Sequence, residues 1–357
     1  MTERKLNSGI RLSWLGQGNI SLLIRGLNAL LLFLVSLTLA RILAPSGYGL
    51  YSWVHTVLLF LSVLAQVGLP KFLIREIAMI SGERPGESHW LIRWALLREF
   101  TVSLLIVLGL GFGILVVSSV SESPKIPVLL LGLILVPLLA FSQTVAAVLK
   151  GLKRVLVGQL PYDVVRPLVF LVLIIVVYGG SNSGPLSPAI AVLLHGVGAL
   201  CALIFGGIVL KRSRIWTSPI IEPTTGLSRA ERHNSTALFL GIGLLQLVNQ
   251  QFDILMLGFY VSDQETGVYR AVYQLNILIT FGLLAINQII QPHVANLYYR
   301  QEWRALQRLV KRSALVVLCL ATPLAILLFY FGDQVITLLY GEKYCPGLKK
   351  KKMLVVG

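Results

Sequence analysis

The sequence predicts an all-α, polytopic membrane protein with about nine transmembrane helices. Of its 357 residues, 56% are hydrophobic and only 13% are charged, and the mean hydropathy is +0.80. Soluble chains carry about 25% charged residues, so this chain has too few polar side chains to cover water-soluble domains of its size. Its apolar residues gather in long runs, which are typical of helices that cross a bilayer.

Nine of these runs are long enough to cross a bilayer, which takes about 20 mainly apolar residues. In chain order, spans one to nine are 20–44, 48–69, 94–120, 126–149, 159–180, 187–210, 236–260, 267–290 and 314–339. The first span is followed by too many others to be a cleaved signal peptide.

The basic residues predict the orientation of the spans. The chain has 31 Lys and Arg against 15 Asp and Glu, a net charge of +16. Most of the basic residues lie in the N-terminal segment and in the connections after spans two, four, six and eight, whereas the other connections are short and nearly free of them. Cytoplasmic loops carry the excess of Lys and Arg. The sequence therefore predicts a multi-pass protein of the cytoplasmic (inner) membrane with its N-terminus in the cytoplasm, and its charge does not require a nucleic-acid partner.

The chain contains an approximate internal repeat. Gly49-Leu50-Tyr51 follows span one, and Gly267-Val268-Tyr269 follows span seven, an offset of 218 residues. Each motif opens the next span, as expected for a protein built from two related halves. The predicted organisation is a cytoplasmic N-terminal segment (1–19), a first six-helix lobe (20–210), a basic cytoplasmic linker (211–235), a partial second lobe of three helices (236–339) and a lysine-rich tail (340–357).

Several segments resemble one transporter family. Residues 40–51, with the sequence ARILAPSGYGLY, look like the AR-x-L-x-P-x-x-YG-x-Y turn of polysaccharide (O-antigen type) exporters. These exporters belong to the multidrug/oligosaccharidyl-lipid/polysaccharide superfamily. Three further segments are similar to family motifs in the same order: 67–76 to GL…R-E/D, 253–292 to D-x-x-x-L-G…G-x-Y…P, and 341–344 to G-x-x-Y.

The resemblance covers residues 20 to 346 and departs from the family where a tenth helix is expected. There the chain has four consecutive lysines, 349–352. This departure favours the hypothesis of a truncated or frame-shifted end, and hence an incomplete second lobe. Reading the gene beyond this point would test that hypothesis.

The resemblance implies two helical lobes that face each other across a cavity. It also implies a flippase that moves polyprenyl-diphosphate-linked oligosaccharides across the cytoplasmic membrane for surface polysaccharide biosynthesis, by alternating access. Its expected partners are the lipid-linked oligosaccharide, membrane lipids and other polysaccharide-assembly proteins. Three alternatives stay open: a cation-coupled multidrug or small-molecule exporter of the same superfamily, a membrane glycosyltransferase or polymerase, and an inactive truncated remnant.

The candidate substrate-binding residues are polar side chains within the spans. A lone charge in hydrocarbon costs several kcal/mol, so such side chains should face protein or an aqueous cavity, and arginine suits phosphate because its planar fork binds two oxygens. The candidates are Arg25, Asn28, Asp163, Arg166, Gln246, Asn249, Gln250 and Asp253.

Each candidate also has a structural interpretation. Arg25 could extend to the lipid headgroups, and Asp163 and Arg166, three residues apart, could neutralise each other. The polar stripe from Gln246 to Asp253 could serve helix packing instead of sugar binding.

Arg75 and Glu76 form a weak candidate for a gate at the cytoplasmic mouth, where Arg93, Arg98 and Glu99 are also expected. The three cysteines and five histidines show no metal-ligand spacing, and neither a phosphate-binding loop nor a catalytic dyad is present. We therefore expect no enzyme, no cofactor and no metal site.

Overall fold

The computed structural model describes residues 2–80, 84–118, 123–180, 186–222 and 228–344, and its side chains from residue 20 onward except at 214, 217, 276–285, 287–289, 291–292, 295 and 320. All regular structure in these ranges is helical. The helices are α1 (Thr2–Gln66), α2 (Leu69–Ile80), α3 (Pro85–Ser118), α4 (Lys125–Gly132), α5 (Leu135–Gly151), α6 (Val155–Leu160), α7 (Arg166–Gly180), α8 (Pro188–Lys211), α9 (Arg229–Tyr260), α10 (Asp263–Tyr299) and α11 (Trp303–Tyr340).

Helix α1 contains spans one and two, joined at a sharp kink. Ala44 has φ 57° and ψ 170°, outside the helical region, and Pro45 follows it. A proline disfavours the helical conformation in the residue before it. Ser36 and Tyr48 share a hydrogen bond of 2.6 Å, although 12 residues of straight helix would separate them by about 18 Å. The chain therefore folds back on itself at the kink and crosses the membrane twice.

The remaining spans also correspond to helices, some of them interrupted. Span four consists of α4 and α5. Span five consists of α6, a π-helical turn at Pro161–Val165, and α7. Within the described residues, seven helical segments are long and apolar enough to cross a membrane, and one of them, Ile20–Gln66, is 47 residues long. In the described part of each of the nine predicted windows the chain is mainly helical, which confirms the prediction of an all-α polytopic membrane protein.

The surface and the interior of the bundle agree with a membrane environment. Large apolar side chains on α3 and α11 are exposed; Phe112, for example, is 71% exposed and Leu338 is 75% exposed. The core lies mainly between α1, α5, α7 and α8, and a second cluster joins α2, α3 and α5. Exposed apolar surface of this extent is suited to lipid, because water would disfavour it.

The two Gly-x-Tyr motifs contact each other. A Cβ atom on Gly49 would overlap the carbonyl oxygen of Asp263, and a Cβ atom on Gly267 would overlap the carbonyl oxygen of Pro45. Pro45 and Asp263 are themselves separated by the repeat offset of 218 residues. The contact is therefore reciprocal, as at an interface with two-fold symmetry. This geometry supports the internal repeat, whereas the division into lobes with the predicted bounds stays a prediction.

We call α1–α8 the first half and α9–α11 the second half. The basic end of the bundle is the end at which α2 lies and α9 begins, and the opposite end is the end at which the Gly-x-Tyr motifs meet. Helix α10 packs chiefly against α1, and α9 packs against α1 and α2. These contacts place the facing surfaces of the two halves along α1 and α2 on one side and α9 and α10 on the other.

Candidate functional site

A cleft to which five glutamine side chains contribute, together with apolar residues, lies between the two halves. Its volume is about 300 Å³, and we call it the amide cleft. Its polar lining residues are Gln66, Lys71, Gln143, Tyr162, Gln246, Gln250 and Gln251. The cleft includes the predicted residues Gln246 and Gln250. The other five were missed because a single amide or phenol in a long apolar run also fits an ordinary helix contact.

The amide cleft combines paired and unpaired hydrogen-bonding groups. Gln143 donates from Nε2 to the Tyr162 hydroxyl at 2.7 Å, and Lys71 donates from Nζ to Oε1 of Gln246 at 3.4 Å. The Nε2 group of Gln66 is buried, and no described residue accepts a hydrogen bond from it. An unpaired buried donor is costly, so the cleft can gain free energy by binding a ligand that carries acceptors.

The predicted stripe on α9 separates into two environments. Gln246 and Gln250 line the cleft, while Asn249 is exposed and does not. Asp253 accepts hydrogen bonds from the Tyr269 hydroxyl at 2.5 Å and from the backbone N–H of Ile254 at 2.8 Å. Both of its carboxylate oxygens are therefore engaged, and Asp253 ties α9 to α10.

Arg166 lies beside the cleft because of the π-helical turn. Pro161 cannot donate a backbone hydrogen bond, and the turn closes when the N–H of Arg166 bonds to the carbonyl of Pro161. The guanidinium group of Arg166 lies 3.9 Å from the centre of the Tyr162 ring. Tyr162 also lines the amide cleft, so it connects the cleft to a side chain that carries permanent positive charge.

The carboxylate of Asp163 lies within electrostatic range of three cations, Lys150, Arg166 and Arg25. Among the described residues, no ion pair within 4.0 Å includes Asp163. A hydrogen bond of 2.8 Å between Gln159 and Ser21 aligns α6 with α1. Since Asp163 and Arg25 follow these residues by four positions, they lie on the adjoining faces. The cluster carries more positive than negative charge, so the predicted Asp163–Arg166 pair does not neutralise the region.

Asn28 lies less than one turn beyond Arg25 on α1. Its side-chain Oδ1 atom is buried and has no hydrogen-bond partner in the part of the chain that the structure describes, while Arg25 itself is exposed. The structure therefore places the predicted residues Arg25 and Asn28 beside the cations that surround Asp163. The Oδ1 atom of Asn28 is available to accept a hydrogen bond there.

Arg270, on α10, is a functional candidate that sequence reasoning missed. It donates to Oε1 of Gln251 at 3.1 Å, and Gln251 lines the amide cleft. Arg270 and Arg166 both lie within electrostatic range of His55. Its position inside span eight was a signal that could have found it. We define the cation series as Arg25, Lys150, Arg166 and Arg270, which runs from the basic end toward the opposite end.

Two histidines that are isolated in the sequence meet beside the cation series. The ring centres of His55 and His195 are 4.7 Å apart, and those of His195 and Phe170 are also 4.7 Å apart. The Tyr51 hydroxyl and Nδ1 of His195 share a hydrogen bond of 2.9 Å. In the part of the chain that the structure describes, no group of three or more His, Cys, Asp or Glu could hold a metal ion. These ring contacts join α1, α7 and α8 of the first half.

The predicted gate residues lie at the junction of the halves. Arg75 forms an ion pair with Glu76 at 2.7 Å. It also donates to Ser235 at 3.4 Å and lies 5.3 Å from the centre of the Phe239 ring. Ser235 and Phe239 belong to α9, so Arg75 connects the two halves at the basic end.

The opposite end is held closed by several contacts. Lys125 lies 3.0 Å from a carboxylate oxygen of Asp263 and donates to the carbonyl of Gly258 at 2.6 Å. Trp53 donates to the carbonyl of Leu255 at 3.2 Å. Burial raises the pKa of Tyr344, so its hydroxyl stays protonated and donates to the carbonyl of Ala40 at 2.7 Å.

We expect the Lys125–Asp263 pair to contribute a measurable coupling energy to the closed end. Its side chains are 25% and 22% exposed, so solvent screens the pair, and exposed ion pairs are worth about 0.2–1 kcal/mol. Lys125→Ala and Asp263→Ala should each lower the unfolding temperature in detergent, and the double variant should lower it by less than the sum. Full additivity of the two effects would contradict the pairing.

The comparisons with known proteins identify the family. A family model described as polysaccharide biosynthesis protein matches residues 15–298, which is most of the chain. The chain belongs to this family. No curated protein matches it in a sequence comparison.

Solved structures show that this polysaccharide biosynthesis family member has the fold of MOP-superfamily transporters. The inward-facing conformation of a multidrug resistance MATE family transporter matches with a TM-score of 0.71 at 15% identity, over 95% of this chain and 80% of that chain. The outward-facing conformation of such a transporter matches with a TM-score of 0.60 at 13% identity, over 95% and 77%. A MOP-superfamily transporter from Pyrococcus furiosus, described as having a binding pocket whose reverse polarity suggests a different function, matches with a TM-score of 0.59 at 12% identity, over 95% and 77%.

Family and fold together confirm the resemblance found in the sequence. The family match covers the ARILAPSGYGLY turn and both Gly-x-Tyr motifs. The TM-score is higher for the inward-facing structure than for the outward-facing one. In this family member, the opposite end is held closed by contacts of Lys125, Trp53 and the two glycines.

Proposed function

We propose that this protein moves polyprenyl-diphosphate-linked oligosaccharides across the cytoplasmic membrane by alternating access. The observation that carries the proposal is the cation series, which adjoins a polar cleft between the two halves of a transporter fold. Membership of the polysaccharide biosynthesis family supports the same substrate class. In this proposal the basic end faces the cytoplasm, as the distribution of Lys and Arg predicts.

The sign of the charge favours an anionic headgroup. The cation series contains four positive side chains, whereas Asp163 lies within electrostatic range of three cations and Asp253 is bound by Tyr269. Uncompensated charge is costly within a membrane, and a diphosphate would compensate it. Arginine also remains charged and binds phosphate oxygens through two parallel hydrogen bonds.

The amide cleft suits the sugar portion of such a substrate. Amide groups both donate and accept hydrogen bonds, which matches hydroxyl groups that do the same. The volume of about 300 Å³ is at the lower end of about 300–1,000 Å³ for small-molecule sites. The cleft therefore fits one or two sugar rings, and a longer oligosaccharide would extend toward the basic end.

A cation-coupled multidrug exporter is the alternative that the structural neighbours favour, since one of them is a multidrug resistance transporter. A drug that carries positive charge would have to approach Arg166 and Arg270, and few carboxylates lie nearby to attract it. Like charges at short range in a low-dielectric site repel strongly. The positive charge of the cation series beside the amide cleft therefore supports an anionic lipid as the substrate over a cationic drug.

Ligand-induced stabilisation tests the proposal directly. We expect a polyprenyl diphosphate carrying a short oligosaccharide to raise the unfolding temperature of the purified protein. A ligand at about 100 times its Kd adds about 2.7 kcal/mol to the free energy of unfolding. The neutral polyprenol, which has the same tail without the diphosphate, should have little effect.

The double variant Arg166→Gln and Arg270→Gln separates specific binding from adsorption of the lipid tail. Stabilisation by the diphosphate should disappear in this variant. Equal stabilisation by polyprenol and its diphosphate, or stabilisation by a cationic dye alone, would overturn the proposal.

A further inference from the structure

Glu99 is a buried carboxyl group inside the third span, and it lies outside the amide cleft. Its relative exposure is 0%. It belongs to a buried stripe on α3 formed at helical spacing by Ser88, Ile92, Ala95, Glu99 and Ser103. Most of the rest of α3 is exposed and apolar, so this stripe is the face that packs against the bundle. The sequence suggested a place for Glu99 among the residues of the cytoplasmic mouth, and the structure buries its side chain within the first half.

Among the described residues, the carboxyl group of Glu99 has a single hydrogen-bond partner. Thr144 of α5 donates from Oγ1 to Oε1 of Glu99 at 2.8 Å. The second oxygen, Oε2, is buried without a partner, and so is Oγ of Ser103. Ser103 lies one turn beyond Glu99 on the same face of α3. Four oxygen atoms from two helices therefore lie on this buried face, and Oε2 of Glu99 and Oγ of Ser103 have no partner among the described residues.

The charged side chains near Glu99 are engaged elsewhere. Arg98, its neighbour on α3, donates to Thr236 at 3.5 Å and lies 5.5 Å from the centre of the Trp94 ring. Arg75 of α2 pairs with Glu76. Lys150, at the end of α5, lies within electrostatic range of Asp163. No ion pair within 4.0 Å among the described residues includes Glu99.

An ionised carboxylate in this position would lack compensation. Transfer of a bare carboxylate into a low-dielectric interior is so costly that the group either gains a proton or binds a cation. Carboxylate and hydroxyl oxygens are also the ligands that hard cations prefer. The chemistry of the position is thus that of a site for a small monovalent cation.

We propose that Glu99, Ser103 and Thr144 form the site of the coupling ion, a proton or Na⁺. Thr144 is adjacent in α5 to Gln143, which hydrogen-bonds to Tyr162 in the amide cleft. Occupancy of the site changes the contact between α3 and α5 and thereby the position of the cleft wall. The binding of the ion is independent of the substrate, whereas its role in coupling rests on the proposed function.

Infrared difference spectroscopy of the protein in lipid tests ion binding without any substrate. The carbonyl band of a buried carboxylic acid should be present at low pH, and it should be absent from the Glu99→Gln variant. Loss of the band on raising the pH, without an effect of Na⁺, identifies the ion as a proton. Loss on adding Na⁺ at constant pH identifies it as Na⁺. A band that neither pH nor Na⁺ changes, or no band at any pH, would overturn the site.

Two variants show that the band belongs to this site. Glu87→Gln removes another buried acid of α3, but Glu87 lies 3.6 Å from Arg84 in an ion pair, so this control should leave the band intact. Ser103→Ala should shift the transition midpoint, since it removes one of the proposed ligand oxygens. An unchanged midpoint would remove Ser103 from the ligand set and contradict the proposed geometry.

Transport in proteoliposomes tests coupling separately. Wild-type transport should respond to a gradient of the ion found by spectroscopy. Glu99→Gln, which keeps the shape of the side chain and an acceptor for Thr144, should fold normally and lose at least tenfold of the gradient-driven component. A variant that binds no ion yet responds to the gradient like wild type would overturn the coupling role. Transport of no lipid-linked substrate by wild type would instead overturn the proposed function and leave the spectroscopic result standing.

Discussion

Arg166→Ala is expected to lower transport of the lipid-linked oligosaccharide by about 100-fold. Charge-assisted hydrogen bonds are worth about 1.5–3 kcal/mol each, and loss of about 2.7 kcal/mol corresponds to 100-fold. Arg166 is buried beside the amide cleft, so water can replace its guanidinium group only poorly. The measurement is the rate of transport into proteoliposomes, together with surface polysaccharide in a host that lacks its own exporter.

Matched substitutions separate the geometry of Arg166 from its charge. Arg166→Lys keeps the charge without the planar fork, and it should recover part of the lost rate. Arg270→Ala should lower the rate as well, because Arg270 extends the cation series into the second half. Arg308→Ala removes an exposed positive charge from α11 and should leave transport unchanged. Normal transport by both Arg166→Ala and Arg270→Ala would remove the cation series from the mechanism.

Gly49→Ala is expected to destabilise the closed opposite end by at least about 3 kcal/mol, the upper part of the range for over-packed sites. The added methyl group would overlap the backbone carbonyl of Asp263. A backbone atom cannot rotate away as a side chain can, so α1 and α10 must separate. Gly267→Ala should have a similar effect, because its methyl group would overlap the carbonyl of Pro45. The unfolding temperature in detergent measures both effects.

The double variant and a control glycine sharpen this expectation. Once one alanine has separated the helices, the second should cost little more, so the two effects should be strongly non-additive. Gly241→Ala is the control, since no heavy atom lies near the position of its added methyl group, and alanine has the higher helix propensity. If Gly49→Ala and Gly267→Ala were as stable as Gly241→Ala, the contact between the motifs would be disproved.

Some features of the candidate site followed from single residues, and others did not. Arg166 was predictable because a charge within an apolar run needs a polar environment wherever the helix packs. The burial of Glu99 was not predictable, since its position in span three does not reveal which face of α3 is buried. His55 and His195 are 140 residues apart in the sequence, and only the packing of α1 against α8 brings them together.

The sequence by itself determined the class of the protein, the helices at all nine spans and the family. These properties depend on local hydrophobicity, because a span must satisfy its own backbone hydrogen bonds in lipid, and on short motifs such as ARILAPSGYGLY. The tertiary structure alone decided which polar side chains meet. The amide cleft, the cation series and the Glu99 site each combine side chains from separate helices. Helix rotation and crossing set those meetings, and both depend on contacts between residues far apart in the chain.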